Sequence, residues 1–350
     1  MSFETQSKSD ILTRLKADLA TMLNGQSSIE GTFNADMLTA NAIEFEQAYA
    51  EMNLMIEANF ADTSWGEYLT ARAAEFGVIR KEAAKAIGKL KVTGTAGSSI
   101  VTGSLFATEQ DIKFYSRGDA IVSADGTVTI NIECGVAGAV GNVEAGTIVN
   151  IPMSMPGITS CTNLATTYDG FKEETDAALL ERYLLKVRTP ATSGNKYHYL
   201  QWALSVTGVG QSKVIPLWNG AGTVKVVIIN SDGATASDDL IADVIAYIES
   251  VRPIGATVTV TSPAPLAINI VADITGIADI DAVTTAVNTY LTANGFSMTY
   301  VSIAQIGKIL LSTTGITDYS KLKINDGTTN ITISDEELPI CGTVTLNVAT

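Results

Sequence analysis

Gly138-Ala-Val-Gly141-Asn142-Val143-Glu144-Ala145-Gly146-Thr147-Ile148 is the stretch on which the reading of this chain turns. Close behind it come Gly157-Ile158-Thr159-Ser160-Cys161-Thr162-Asn163 and then Glu173-Glu174-Thr175-Asp176, which leads into a run ending Glu181-Arg182-Tyr183. Glycines at short intervals, each flanked by Val, Ile or Thr, predict short strands joined where positive φ or a bare backbone is needed. An acidic helix start follows directly. The segment carries turn chemistry and no catalytic group.

Working outward, the sequence from Gly88 to about Asp169 keeps a period of two. Lys89-Leu-Lys-Val-Thr, Ile112-Lys-Phe-Tyr and Thr127-Val-Thr-Ile-Asn-Ile predict strands, with Asp125-Gly126 as a hairpin turn. Everything before it reads as helix. Ser9-Asp10 caps apolar positions Ile11, Leu12, Leu15, Leu19, Met22 and Leu23, which recur at steps of three and four. A longer helix begins near Asn34-Ala-Asp36 and carries Met37, Ala40, Ile43, Phe45, Ala48, Met52, Met55 and Ile56 to Asn59. Thr63-Ser64 caps a third, with Trp65, Leu69, Ala73 and Phe76, and Gly77 ends it. The Met-rich stripe reads either as an ordinary core face or as a face that meets a partner, since Met adapts to irregular contacts. So little sequence holds no large core of its own, which favours the partner. The candidate interface residues are Leu15, Leu19, Met37, Phe45, Met52, Met55, Trp65 and Leu69.

Beyond Glu173 a helix runs to Arg188 and Pro190 stops it; another spans about Asn195 to Leu204. Strands are predicted at Lys213-Val-Ile and Thr223-Val-Lys-Val-Val-Ile-Ile, a helix capped by Ser237 over Asp238 to Val251, and a strand at Thr257-Val-Thr-Val. Ser262-Pro263-Ala-Pro265 reads as a stiff hinge, because two prolines neither join a ladder nor continue a helix. After it come a strand from Leu266 to Ile274, helices near Asp281 to Ala293 and Ser302 to Leu311, and strands around Asn325-Asp326-Gly327. The expected fold is α+β and multidomain: a helical segment over 1–87, a β-rich domain over 88–170, and α+β units over 171–263 and 264–350.

A chain of 350 residues with 46% hydrophobic residues has ample core material, so disorder is not expected. A formal net charge of −15 with no basic stripe argues against nucleic acid as a partner. The three cysteines, Cys134, Cys161 and Cys341, are far apart and odd in number, which suits neither a disulfide framework nor zinc and points to a reducing compartment. The first residues lack signal-peptide order, and no apolar run approaches the roughly 20 residues of a membrane span, so folding in the cytoplasm without membrane insertion is expected.

Catalytic chemistry finds little purchase. His198, the one histidine, lies in the aromatic patch Tyr197-His198-Tyr199-Leu200-Gln201-Trp202, and nothing sets it beside a nucleophile and an acid. The paired carboxylates Glu173-Glu174 and Glu336-Glu337 fit solvated or helix-capping roles. Gly208-Val-Gly210 is followed by Lys213 where a dinucleotide fingerprint would want its third glycine, and no phosphate-binding loop or calcium loop occurs. No catalytic, cofactor or metal residues are assigned.

The order of short motifs resembles the baseplate J-like proteins, which build the wedges of contractile phage tails and related injection particles. Trp65-Gly-Glu-Tyr-Leu69 through Phe76-Gly77-Val-Ile-Arg80-Lys-Glu-Ala83 is similar to that family's helix, glycine and arginine segment leading into its β-domain. Gly94-Thr-Ala-Gly97 to Gly103 resembles the following hairpin, and Gly141-Asn142-Val143 with Gly146-Thr147 is the best-marked signature. Asp169-Gly170-Phe171, Thr175-Asp176, Arg182, Arg188, Pro190 and Gly194-Asn195 resemble the head of the family core; Pro152-Met-Ser-Met-Pro156 departs from the pattern. The resemblance implies a structural wedge subunit, without enzymatic activity or cofactor, made in a bacterial host and assembled into a tail baseplate. Its implied partners are other wedge proteins, a second copy of itself and neighbouring wedges in a six-fold ring. N-terminal helices would hold each wedge and C-terminal domains would join wedges. A receptor-binding adhesin is the alternative, and a tail-associated peptidoglycan hydrolase a third; the β-rich middle permits the first, but a helical start and α+β end do not suit it.

Overall fold

The computed structural model describes residues 6–22, 31–189, 191–277 and 279–348. Leu23 of the first helical stripe and Pro190 lie outside them. The fold is mixed α+β and divides into two compact units, one of Met1–Arg80 with Thr175–Val187, the other of Lys81–Glu174 with Arg188–Thr350.

The first unit is helical: α1 (Lys8–Met22), α2 (Phe33–Asn59), α3 (Gly66–Ala74) and, from much later in the chain, α4 (Asp176–Arg188). α2 starts one residue before Asn34, because Thr32 accepts the Ala35 N–H as its N-cap. Thr63-Ser64 does not cap α3. Its first N–H, on Gly66, donates instead to Asp176 at 2.9 Å, and Arg80 holds the other oxygen of that carboxylate at 2.6 Å. The Gly66 N–H, and then the Arg80 guanidinium, hold the Asp176 carboxyl below its usual range. Below it Leu69, Ala73, Val78, Leu179 and Tyr183 form a small core, with Phe76 edge-on to Tyr183.

The second unit begins with β1 (Lys85–Gly94), β2 (Ser99–Ile100), β3 (Leu105–Thr108), β4 (Lys113–Ser116), β5 (Ala120–Ile121), β6 (Thr127–Ala137), β7 (Ile148–Asn150) and β8 (Ile158–Thr162). Six of these strands form a sheet ordered β7-β3-β4-β6-β1-β8, antiparallel throughout. It curls so that its two edges approach, with Phe106, Phe114, Leu90, Ile132 and Ile148 fully buried inside. No backbone ladder joins β7 to β8. Side chains close the seam: Asn163 accepts from Ile148 N–H at 2.9 Å, and the Cys161 thiol reaches Ile148 O at 3.6 Å and Asn150 O at 3.7 Å.

The glycine-rich stretch folds as a short 3-10 turn packed on this barrel. A Cβ at Gly141 would stand 2.8 Å from the Cβ atoms of Ala86 and Cys134, so only a bare backbone fits. Asn142 then grips Gly170 with both ends of its amide: Nδ2 donates to Gly170 O and Oδ1 accepts from Gly170 N, each at 2.9 Å. Thr167 donates to Gly141 O and accepts from Val143 N–H at 2.7 Å. The next residue, Phe171, exchanges backbone bonds with Ala84 and buries its ring in the following domain. Beside it Ser237 donates to Asp169 at 2.6 Å and Tyr168 to Asp239 at 2.8 Å.

That domain contains α5 (Lys196–Ser205), β9 (Val209–Pro216), β10 (Thr223–Asn230), α6 (Asp238–Val251) and β11 (Thr257–Thr261). Its sheet runs β11-β10-β9, parallel at β10–β11 and antiparallel at β10–β9. β10 reads as one apolar run because both of its faces are covered. Val226 and Ile228 meet Tyr199, Leu240, Val244 and Ile248 on the helical side. On the other, Val227 and Ile229 join Ile215, Phe296 and Leu338 in a shared core.

Phe296 and Leu338 belong to the last domain, made of β12 (Ala264–Gly276), α7 (Ile280–Asn294), β13 (Tyr300–Val301), α8 (Ile303–Ser312), β14 (Ile316–Ile324), β15 (Ile331–Thr332) and β16 (Glu337–Val348). Its main sheet is β14-β12-β16. The proline segment is therefore not a hinge. Pro265 sits inside β12, opposite Leu338. Ala264 N–H donates to Glu336 O, so by strand alternation the Pro265 nitrogen faces the side that β14 reaches only from Ile270. Lys225 with Glu336 at 2.8 Å and Lys213 with Asp335 at 3.2 Å flank the shared core.

Four measurements check this account. Phe296→Ala should cost about 3 kcal/mol in urea unfolding, as for other buried aromatic truncations, because it empties the core between the last two sheets. A chain ended at residue 263 should bind hydrophobic dye strongly for the same reason. Asn142→Ala should cost about 2 kcal/mol, through two buried backbone groups left unpaired at Gly170, and hydrogen exchange there should accelerate. Burial, with Asp239 and Asp243 nearby, raises the Asp169 carboxyl above its usual range despite the Ser237 bond. A carboxyl raised in the folded state favours folding at low pH and loses that contribution as pH rises through the folded value. Asp169→Asn, which tolerates the φ of +60° there, should be more stable than the parent at pH 7 and the gap should close towards pH 4. An unchanged gap would mean that Asp169 is not the titrating group.

Candidate partner interface

A surface helix normally presents one apolar stripe, so a helix apolar on several sides is covered by something else. α2 has Ala35 and Ala42 buried and Leu38, Tyr49, Asn53 and Ile56 half-buried on one stripe. At about 100° per residue, Phe33, Met37, Phe45, Met52 and Met55 fall on one side of that stripe, and Ile43 and Leu54 on the other. All seven are exposed, Met55 at 72% and Phe33 at 78%. α1 lies against α2 and contributes the buried Ile11. Lys8 N–H donates to Glu46 on α2 at 2.7 Å.

Among the residues expected from the sequence, Met37, Phe45, Met52, Met55 and Trp65 are exposed, and Leu15 and Leu19 are half-buried. Leu69 does not belong with them. It is 1% exposed within the core formed with Leu179 and Tyr183, since α4 returns to cover the inner face of α3. That return is invisible to a local reading, because the covering helix arrives about a hundred residues later. Phe33, Ile43, Leu54 and Phe60, also exposed, extend the apolar surface beyond the expected residues. Their signal was present in the chain as a helix apolar on all sides rather than on a stripe.

The other groups weighed for chemistry are occupied in structure. His198 stacks on Trp202 with ring centroids 4.4 Å apart, and its Nδ1 accepts from Gly194 N–H at 3.2 Å. Burial pushes the Cys161 thiol up to about 11 and raises that of Cys341, which keeps the nucleophilic thiolate scarce at neutral pH. Glu174 accepts from Lys81 N–H and Glu337 from Ser334 N–H, while Glu336 pairs with Lys225. Among the described residues no group of His, Cys, Asp and Glu is arranged to hold a metal ion, and no helix is long and apolar enough to cross a membrane.

Three domain models match in succession: the Baseplate J-like protein barrel domain over residues 89–170, the Baseplate J-like central domain over 191–262 and the Baseplate J-like protein C-terminal domain over 264–347. The phage-like element PBSX protein XkdT of Bacillus subtilis is 33% identical over 98% of both chains, and the uncharacterized protein YqbT of the same organism matches equally. The baseplate protein gp47 of Escherichia phage Mu is 29% identical over 55% of this chain and 58% of its own. Among solved structures, a chain of the anti-feeding prophage baseplate aligns over 94% of this chain and 90% of its own, with a TM-score of 0.40 and 10% identity, a level that fixes neither fold nor role. With 33% identity to XkdT over 98% of both chains and all three domains matched in order, the chain belongs to the baseplate J-like family.

Proposed function

We propose that this chain is a structural subunit of the baseplate wedge in a contractile tail, joined to other wedge proteins through α1–α3 and to neighbouring wedges, around the tail hub, through its C-terminal domain. The observation that carries the reading is the apolar exposure of α2 on both sides of its packed stripe. A helix so placed is complete only inside a bundle with further helices. The name of the phage Mu relative, a baseplate protein, supports the setting. So does the net charge of −15, which suits protein partners better than nucleic acid.

The reading is non-enzymatic and needs no cofactor. Members of a ring present one surface to each neighbour, and a heterologous contact closes only if its rotation matches the symmetry. The six-fold ring and the second copy within each wedge belong to this proposal, as does assembly of the host-made chain into a phage or phage-tail-like particle.

The test uses co-expression with the wedge proteins of the same particle. Deleting residues 1–60 should leave the β-rich and α+β remainder folded but abolish co-purification. A milder variant, Met37→Gln with Phe45→Gln, Met52→Gln and Met55→Gln, should keep the melting temperature, since all four side chains are exposed, and cut partner recovery at least tenfold. Undiminished recovery with either variant would remove the helical face from the interface.

A further inference from the structure

The chain contains three Asn–Gly pairs, Asn24-Gly25, Asn219-Gly220 and Asn294-Gly295. Such a pair is chemically exposed, because a glycine has no Cβ to keep its backbone nitrogen away from the carbonyl of the preceding asparagine side chain. Once that nitrogen loses its proton it attacks Cγ. In a folded chain two conditions control the attack: the side chain must be free to turn, and the glycine N–H must not be held. Asn24 lies outside the described residues.

At Asn294 the fold meets neither condition. The pair closes α7, where Asn294 Nδ2 donates to Tyr290 O at 2.9 Å and the N–H of the buried Gly295 donates to Leu291 O at 2.6 Å. Attack there requires the last helical turn to open first. Asn219 differs on both counts. It is exposed in the loop Leu217-Trp218-Asn219-Gly220-Ala221-Gly222 between β9 and β10. Its own N–H donates to the Thr223 hydroxyl at 3.0 Å, which fixes its backbone, but its side-chain amide bonds to no described residue. Gly220 N–H reaches Leu217 O only at 3.3 Å, past the common N–H···O range, and a Cβ at Gly220 would meet nothing within 4 Å.

We propose that Asn219 is a site of spontaneous succinimide formation, the point at which this chain ages by reaction with water. Gly220 N, deprotonated by hydroxide, bonds to Asn219 Cγ. The Cγ–Nδ2 bond breaks and the nitrogen leaves as ammonia, taking its third proton from water and returning the hydroxide. Water then opens the ring at either carbonyl, which leaves aspartate at 219 or isoaspartate with an extra methylene in the main chain. The sequence consumes water and involves no redox change. It concerns this chain alone and does not rest on the assembly reading.

The two products differ in their effect on the loop. Leu217 N–H bonds Thr223 O at 2.7 Å and the Thr223 hydroxyl bonds Gly220 O at 2.7 Å, a closure set by the number of main-chain atoms it spans. Isoaspartate breaks that match and should loosen this end of the hairpin. Aspartate adds only one charge to a chain already at −15 and should leave the closure intact.

The test ages the full-length chain at about pH 7 and about pH 8, folded and in urea, and then digests it with trypsin. Lys213 and Lys225 bracket Asn219 in a peptide with no other asparagine or glutamine, so its gain in mass is unambiguous. A labelled isoaspartyl methyltransferase reaction counts the isoaspartate. In the folded chain Asn219 should convert about tenfold faster than Asn294 or more, and the two should converge in urea, where no helix holds Gly295. Conversion at Asn219 should rise about tenfold from the lower to the higher pH, as a deprotonation far below the pKa of the nitrogen requires. The aged chain should exchange amide hydrogens faster over 217–223. Freshly purified Asn219→Asp should not, and Asn219→Gln should keep the parent pattern throughout ageing. Equal rates at Asn219 and Asn294 in the folded chain, rates that stay apart in urea, a rate indifferent to pH, aspartate without isoaspartate, or unchanged exchange after full conversion would each overturn the proposal.

Discussion

The grip of Asn142 on the backbone of Gly170 is the constraint from which the second unit is built. One amide satisfies the N–H and the carbonyl of a residue that no strand pairs. Gly141 is bare because Ala86 and Cys134 occupy the space where its side chain would be. With Gly170 fixed, Phe171 has one direction to take, and its ring becomes part of the core against which α5 and α6 pack. The turn-rich stretch is thus the anchor of the barrel and also the mount of the domain that follows.

Each layer of this unit is finished by the next. The barrel has no ladder across its β7–β8 seam and is closed by Asn163 and Cys161, both from beyond β7 in the chain. The three-stranded sheet has helices on one face only, and the last domain supplies the missing cover through Phe296 and Leu338. The ion pairs at Lys225 and Lys213 sit at the rim of that contact, where they fix registry more than they add stability. A rigid proline strand rather than a hinge is what such a shared core requires.

The helical unit is built on the same rule but stops short of completion. α4 covers α3, and α1 covers one stripe of α2, yet large apolar side chains remain in water on both sides of that stripe. In the proposed reading, this exposed apolar surface is where the helical unit meets the other wedge proteins.

The sequence by itself determined the local elements. Apolar periodicity marked α1 and α6, and period-two alternation marked β1 and β6, because burial of one face leaves a repeat that any such segment must show. Ser237 and Asn195 announced their helix starts, since a cap is made within three residues. Tertiary structure alone decided what depends on distant partners. Asp176 caps α3 from 110 residues away. Leu69 is core because α4 returns to it, and Pro265 is strand because its nitrogen faces the side of β12 that β14 has not yet reached. In each case the deciding group lies far along the chain, and no local pattern of apolar and polar residues records where a distant segment will come to rest.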